Sequence, residues 1–152
     1  MPLVSLIIGA ESDRPIGDRI RDLLRGFDVE VEYLIISAHR SPEELRRYVE
    51  ESGAEVFIAV AGLSAALPGA IASLTLRPVI GVPRDVKLMG LDALLSAVQM
   101  PPGVPVACVG VDNAVNAALL AVEILALKYP ELERRLREYR EDMRRSAARR
   151  LE

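Results

Sequence analysis

The chain has 152 residues, 51% of them hydrophobic and 27% charged, which suits one domain with one substantial core and excludes a disordered chain. Its net charge of -3 supplies no global basic field for nucleic acid or an acidic membrane. No apolar run reaches the roughly 20 residues that a bilayer-spanning helix needs.

Met1-Pro2-Leu3-Val4 enters a strand without a basic leader, so no secretion signal is expected. Leu3–Ile8 is an apolar run broken only by Ser5, which predicts a strand buried on both faces. Gly9-Ala10-Glu11-Ser12-Asp13 follows. A glycine here lets backbone approach a ligand closely, and the next helix offers free amides to an anion. The segment also reads as a plain turn with Ser12 or Asp13 as helix cap. Ile16, Ile20, Leu23 and Leu24 then mark one face of a helix ending near Arg25.

Val29–Ile36 predicts the second strand, and Ser37-Ala38-His39-Arg40-Ser41-Pro42 comes directly after it. His39 is the only histidine. Its side chain can give and take a proton near neutral pH. Arg40 can grip a phosphate or carboxylate through two parallel hydrogen bonds, or form a surface ion pair. Ser41-Pro42-Glu43-Glu44 has the pattern of a capping box with proline in the first turn.

Val56–Val60 predicts the third strand, followed by Ala61-Gly62-Leu63-Ser64-Ala65-Ala66-Leu67-Pro68-Gly69. Small residues before a helix leave room for a ligand whose oxygens exposed amides can hold, or allow tight backbone packing. Pro78–Val82 and Val104–Val109 predict strands four and five, with an apolar helix over Leu91–Val98 between them. Gly81-Val82-Pro83, Gly90-Leu91-Asp92 and Ser96–Pro101 form a fourth loop cluster. Asn113–Leu127 reads as a buried helix, and Glu131–Glu152 as an arginine-rich C-terminal helix with one narrow apolar stripe. That stripe docks either on this chain or on a neighbouring subunit.

Alternating strands and helices predict an α/β fold: a three-layer flavodoxin- or Rossmann-like domain with a five-stranded parallel sheet. One domain is expected over residues 1–152, with a core over 1–128 and the C-terminal helix over 131–152. Cys108 is the only cysteine, so no intrachain disulfide forms, which fits a reducing cytoplasm. It is expected to be a buried structural thiol. One Cys and one His make no soft metal ligand set. Ligands of open parallel sheets bind outside the carboxyl ends of the strands, where the four loop clusters should converge. They point to a phosphate-bearing small molecule and one proton shuttle, and leave the reaction open. No paired carboxylates suit glycoside hydrolysis, and no Walker lysine follows a glycine loop.

Several blocks in fixed order resemble the N5-carboxyaminoimidazole ribonucleotide mutase family of purine biosynthesis. They are Ser37–Pro42, Leu67-Pro68-Gly69, Pro78–Pro83, Gly90–Pro101 and Asn116–Ala121. The resemblance implies a homo-octamer without metal or organic cofactor. It also implies transfer of a carboxylate from the exocyclic nitrogen to C4 of an aminoimidazole ribonucleotide, with carbon dioxide as intermediate. His39 takes the place of the family's acid/base. Ser12, Asp13, Ser37 and Arg40 match positions that hold ribose, phosphate and carboxylate; Gly9, Gly62, Ser64 and Leu67 complete the expected binding set. Two positions depart from the pattern: Ala10 replaces a serine, and Ala66 a second histidine. Arg40 favours the mutase over a carboxylase using free carbon dioxide, which tends to carry lysine there. A degenerate nucleotide-binding or scaffold homologue is the non-enzyme alternative.

Overall fold

The computed structural model describes residues 1–151. Its strands are β1 (Leu3–Ile8), β2 (Glu30–Ile35), β3 (Val56–Ala61), β4 (Val79–Pro83) and β5 (Ala107–Cys108). They form one all-parallel sheet in the order β2-β1-β3-β4-β5, a flavodoxin-like arrangement. Six α-helices connect and cover it: α1 (Arg14–Gly26), α2 (Pro42–Glu51), α3 (Leu67–Ala72), α4 (Leu91–Val98), α5 (Ala114–Ala126) and α6 (Pro130–Ala147).

Successive strand residues face opposite sides, so the apolar strands feed two cores. Val4, Leu6, Ile8, Val56 and Ile58 meet Ile20 and Leu24 of α1 and the alanines of α5 on one side. Ile7, Phe57 and Ala59 meet Leu45 and Val49 of α2, Leu67 and Ile71 of α3, and Ala93 of α4 on the other. Each fully buried Leu or Ile contributes about 2 kcal/mol of transfer free energy. Burial on both faces therefore makes β1, β3 and β4 the rigid centre from which the loops project.

Burial on both faces does not extend to the outer strands. β2 lies at one edge, and Glu30, Glu32 and Ile35 are exposed. β5 lies at the other edge and pairs only over two residues instead of the expected Val104–Val109. Pro105 has no N–H to give a ladder. Cys108 is consequently half-buried, not buried.

The capping box at Ser41 does not form: no side chain caps the helix. The Ser41 amide, which Glu44 would have satisfied, already donates to the Ser37 carbonyl at 2.9 Å. Pro42 does occupy the first turn of α2.

The C-terminal helix begins at Pro130 and ends at Ala147. Proline's fixed φ suits a first helical position, and the described residues after Ala147 are exposed. The expected final residue of the helix, Glu152, lies outside the described residues. Leu132 and Leu136 are buried against the α1/α5 core, and Tyr139 lies 5.8 Å from the Phe27 ring. The helix thus docks on its own chain. The large exposed apolar face belongs to α4, where Leu91, Leu95 and Val98 are each about half exposed.

Candidate active site

β1 and β3 are neighbours whose connections leave in opposite directions across the sheet, so a crevice opens between their carboxyl ends. The Gly9 amide ties the loop after β1 to the end of β3 by donating to the Val60 carbonyl at 3.0 Å. A cavity of about 360 Å³ lies there.

Three of the four expected loop clusters meet in it. Gly9, Ala10, Ser12 and Asp13 come from the loop after β1; Ser37, Ala38, His39 and Arg40 from the loop after β2; and Gly62, Leu63, Ala66 and Leu67 from the loop after β3. Of the expected site residues only Ser64 stays outside the lining. It is exposed with φ at +56°, a left-handed conformation that is uncommon for serine.

The fourth cluster does not reach the cavity; only Val86, beyond it, does. Gly81 is a packing glycine: an added Cβ would lie 3.1 Å from the Pro68 ring. Gly90 has φ at +76°, and an added Cβ would lie 2.6 Å from Val111. Met100, just past α4, packs on Gly69.

His39 sits in the turn over residues 38–40, exposed at the cavity wall. Its neighbours are fixed by local bonds. The Ser37 hydroxyl accepts from the Arg40 amide at 3.1 Å and from Arg40 Nε at 3.3 Å. Arg40 Nη2 donates to the Gly9 carbonyl at 3.3 Å. The histidine is therefore held in a short turn anchored at both ends.

Among the described residues Asp13 is the only buried charged residue, 4% exposed as a whole. Its Oδ2 accepts from the Ala10 amide at 3.1 Å and its Oδ1 from Arg84 Nη1 at 3.1 Å. Burial pushes its pKa above the usual carboxylate range, opposed by the Arg84 cation and by the amides of Ala10 and Gly9. Arg84 also donates to the Ser12 carbonyl at 2.9 Å and, through Nε, to Asp112 Oδ1 at 3.0 Å.

Sequence reasoning missed Arg84 and Asp112. The available signal was a cation placed just past the end of the fourth strand. Its two carboxylate partners lie 71 and 28 residues away, beyond the reach of local patterns.

Ala10 and Ala66 line the cavity as methyl groups. Polar contact is left to Ser12, Asp13, Ser37, His39, Arg40 and backbone amides. Among the described residues no three His, Cys, Asp or Glu side chains cluster as a metal site would require, and no helix is long and apolar enough to cross a membrane.

Comparison with known proteins gives one consistent answer. The AIR carboxylase family model matches residues 3–146. The chain is 56% identical to a Pyrococcus abyssi N5-carboxyaminoimidazole ribonucleotide mutase, over 95% of this chain and 86% of that one. It is 50% identical to the Thermotoga maritima protein of the same name, over 95% of this chain and 87% of that one. Among solved structures, Treponema denticola PurE superposes with a TM-score of 0.84 at 29% identity, covering 97% of this chain and 94% of that one.

Proposed function

The chain belongs to the AIR carboxylase family, and we propose that it is an N5-carboxyaminoimidazole ribonucleotide mutase, an isomerase of purine biosynthesis. The observation that carries this reading is the placement of one titratable imidazole, His39, in a cavity shared with Arg40, Ser37 and Asp13. We read residues 1–152 as one mutase-like unit.

The reaction needs one proton given and one taken. Breaking the N–carboxylate bond requires a proton on the exocyclic nitrogen, which His39 donates. Carbon dioxide and the nucleophilic imidazole base then share the cavity. C4 attacks carbon dioxide, a new carbon–carbon bond forms, and the C4 proton leaves to the same His39. The net proton change is zero. Confinement keeps the two fragments together, and the positioned imidazole supplies acid and base in turn.

The remaining groups sort by charge. Arg40, held by Ser37 and the Gly9 carbonyl, offers a fork to the phosphate or carboxylate. Asp13 is an acceptor when ionised and repels phosphate, so it suits the ribose hydroxyls. Ser12 and the amides around Gly9 and Gly62 line the nucleotide's path, and Leu67 gives an apolar wall. The exposed apolar face of Leu91, Leu95 and Val98 supports assembly into the family's homo-octamer. The lone cysteine and the purine-precursor substrate support a cytoplasmic location.

Substrate choice tests the reading. Supplied with N5-carboxyaminoimidazole ribonucleotide and no bicarbonate, the protein should form the 4-carboxy product, followed by absorbance. Product formed only from the unsubstituted aminoimidazole ribonucleotide plus bicarbonate would instead identify a carboxylase.

A further inference from the structure

We propose that Arg84 is a positioning residue for the substrate: anchored by Asp112, its guanidinium sets the direction of the Asp13 carboxylate and thereby the grip on the ribose. The inference rests on the assignment of Asp13 to the ribose hydroxyls.

The geometry is that of a built bracket. The Arg84 side chain, 17% exposed, lies between the side chains of Asp13, 5% exposed, and Asp112, 39% exposed. Its own amide donates to the Ala61 carbonyl at 2.9 Å, which fixes its backbone to the end of β3. Nη1 then bridges the Ser12 carbonyl and Asp13 Oδ1, while Nε is held by Asp112 Oδ1. One side chain thus joins the loop after β1 to the loops after β4 and β5.

Asp112 is itself locked. Its Oδ1 also accepts from the Asp85 amide at 3.2 Å, and its own amide donates to the Pro83 carbonyl at 2.8 Å. Its backbone is left-handed, with φ at +54°. A non-glycine residue keeps that conformation where its surroundings hold it.

An ionised carboxylate accepts about four hydrogen bonds. Arg84 and the Ala10 amide take one on each Asp13 oxygen, which leaves one position per oxygen for a diol. Other charges near Asp13 do not duplicate this role. Arg40 and His39 line the same cavity from the loop after β2. Glu11 and Arg14, on Asp13's own segment, pair with each other at the surface. Among the charged side chains of the described residues only Arg84 pairs with Asp13, and a guanidinium cannot lose its charge.

The test uses the assembled enzyme with Arg84→Met, Arg84→Lys and Asp112→Asn. Arg84→Met should raise KM for N5-carboxyaminoimidazole ribonucleotide about tenfold or more, with kcat within about threefold. In the ligand-free enzyme, infrared difference titration should show the Asp13 carboxyl, assigned by its loss in Asp13→Asn, holding its proton to higher pH. Arg84→Lys should restore the titration but only part of the KM, since lysine supplies the charge without the fork. If Arg84→Met does not fold, Asp112→Asn, which keeps the guanidinium and frees its anchor, should raise KM in the same direction. A folded Arg84→Met, or in its place Asp112→Asn, with wild-type KM and wild-type Asp13 titration overturns the proposal. Absence of turnover by the wild type would overturn the functional reading instead, and the infrared result is read without substrate.

Discussion

The guanidinium of Arg40 donates to the carbonyl oxygen of Gly9 at 3.3 Å, linking the loop after the second strand to the loop after the first. This link and the Ser37 hydroxyl hold the two ends of the turn that carries His39. The His39 imidazole, the acid and base of the proposed reaction, therefore owes its place to neighbours to which the proposal gives no proton transfer.

Removing the Ser37 hydroxyl tests that arrangement. Ser37→Ala loses both hydrogen bonds to Arg40, each worth about 1 kcal/mol net. We expect KM to rise about three- to tenfold with kcat little changed, read by steady-state kinetics. An unchanged KM would show that Arg40 is held by other contacts.

Removal of Arg84 has a pH-dependent cost. Without the cation, Asp13 is a buried carboxylate with no countercharge, and breaking such a pair costs about 3 kcal/mol. Burial raises the Asp13 pKa in the fold, so folding favours its protonated form. Its contribution to stability is greatest below the unfolded-state pKa and declines as pH rises through the folded one. The deficit of Arg84→Met should therefore be full at neutral pH and shrink as the medium becomes acid enough to protonate Asp13. Denaturant unfolding at several pH values measures this; a deficit independent of pH would contradict it.

The proposed assembly can be tested on α4. Leu95 is 47% exposed between Leu91 and Val98, an apolar stripe of the kind that marks an interaction surface. The protein should elute far above the 16.6 kDa of one chain, and Leu95→Glu should lower the eluted mass while leaving the fold intact by circular dichroism. A monomeric wild type would remove the octamer from the account.

Sequence patterns located the strands at the sheet centre closely, because Leu3–Ile8, apart from Ser5, and Val56–Val60 are apolar and both faces are covered. They misjudged the edges, where Glu30 and Glu32 needed only one buried face and Pro105 cut pairing short. The loops at the carboxyl ends of β1, β2 and β3 were readable for the same reason, since strand ends dictate where a parallel sheet opens. What was not readable depends on contacts between distant segments. Arg84 reaches Asp13 across the sheet, Ser64 turns outward through a left-handed backbone, and the Gly90–Pro101 block packs away from the cavity.

The central claim is that one imidazole moves the proton both ways, and His39→Asn tests it most directly. His39 is exposed in a turn, so asparagine should leave melting and assembly unchanged. Turnover of N5-carboxyaminoimidazole ribonucleotide should fall by about a hundredfold or more, the usual contribution of a positioned acid/base, while the variant still binds aminoimidazole ribonucleotide. A His39→Asn protein that turns over at the wild-type rate would contradict the mechanism.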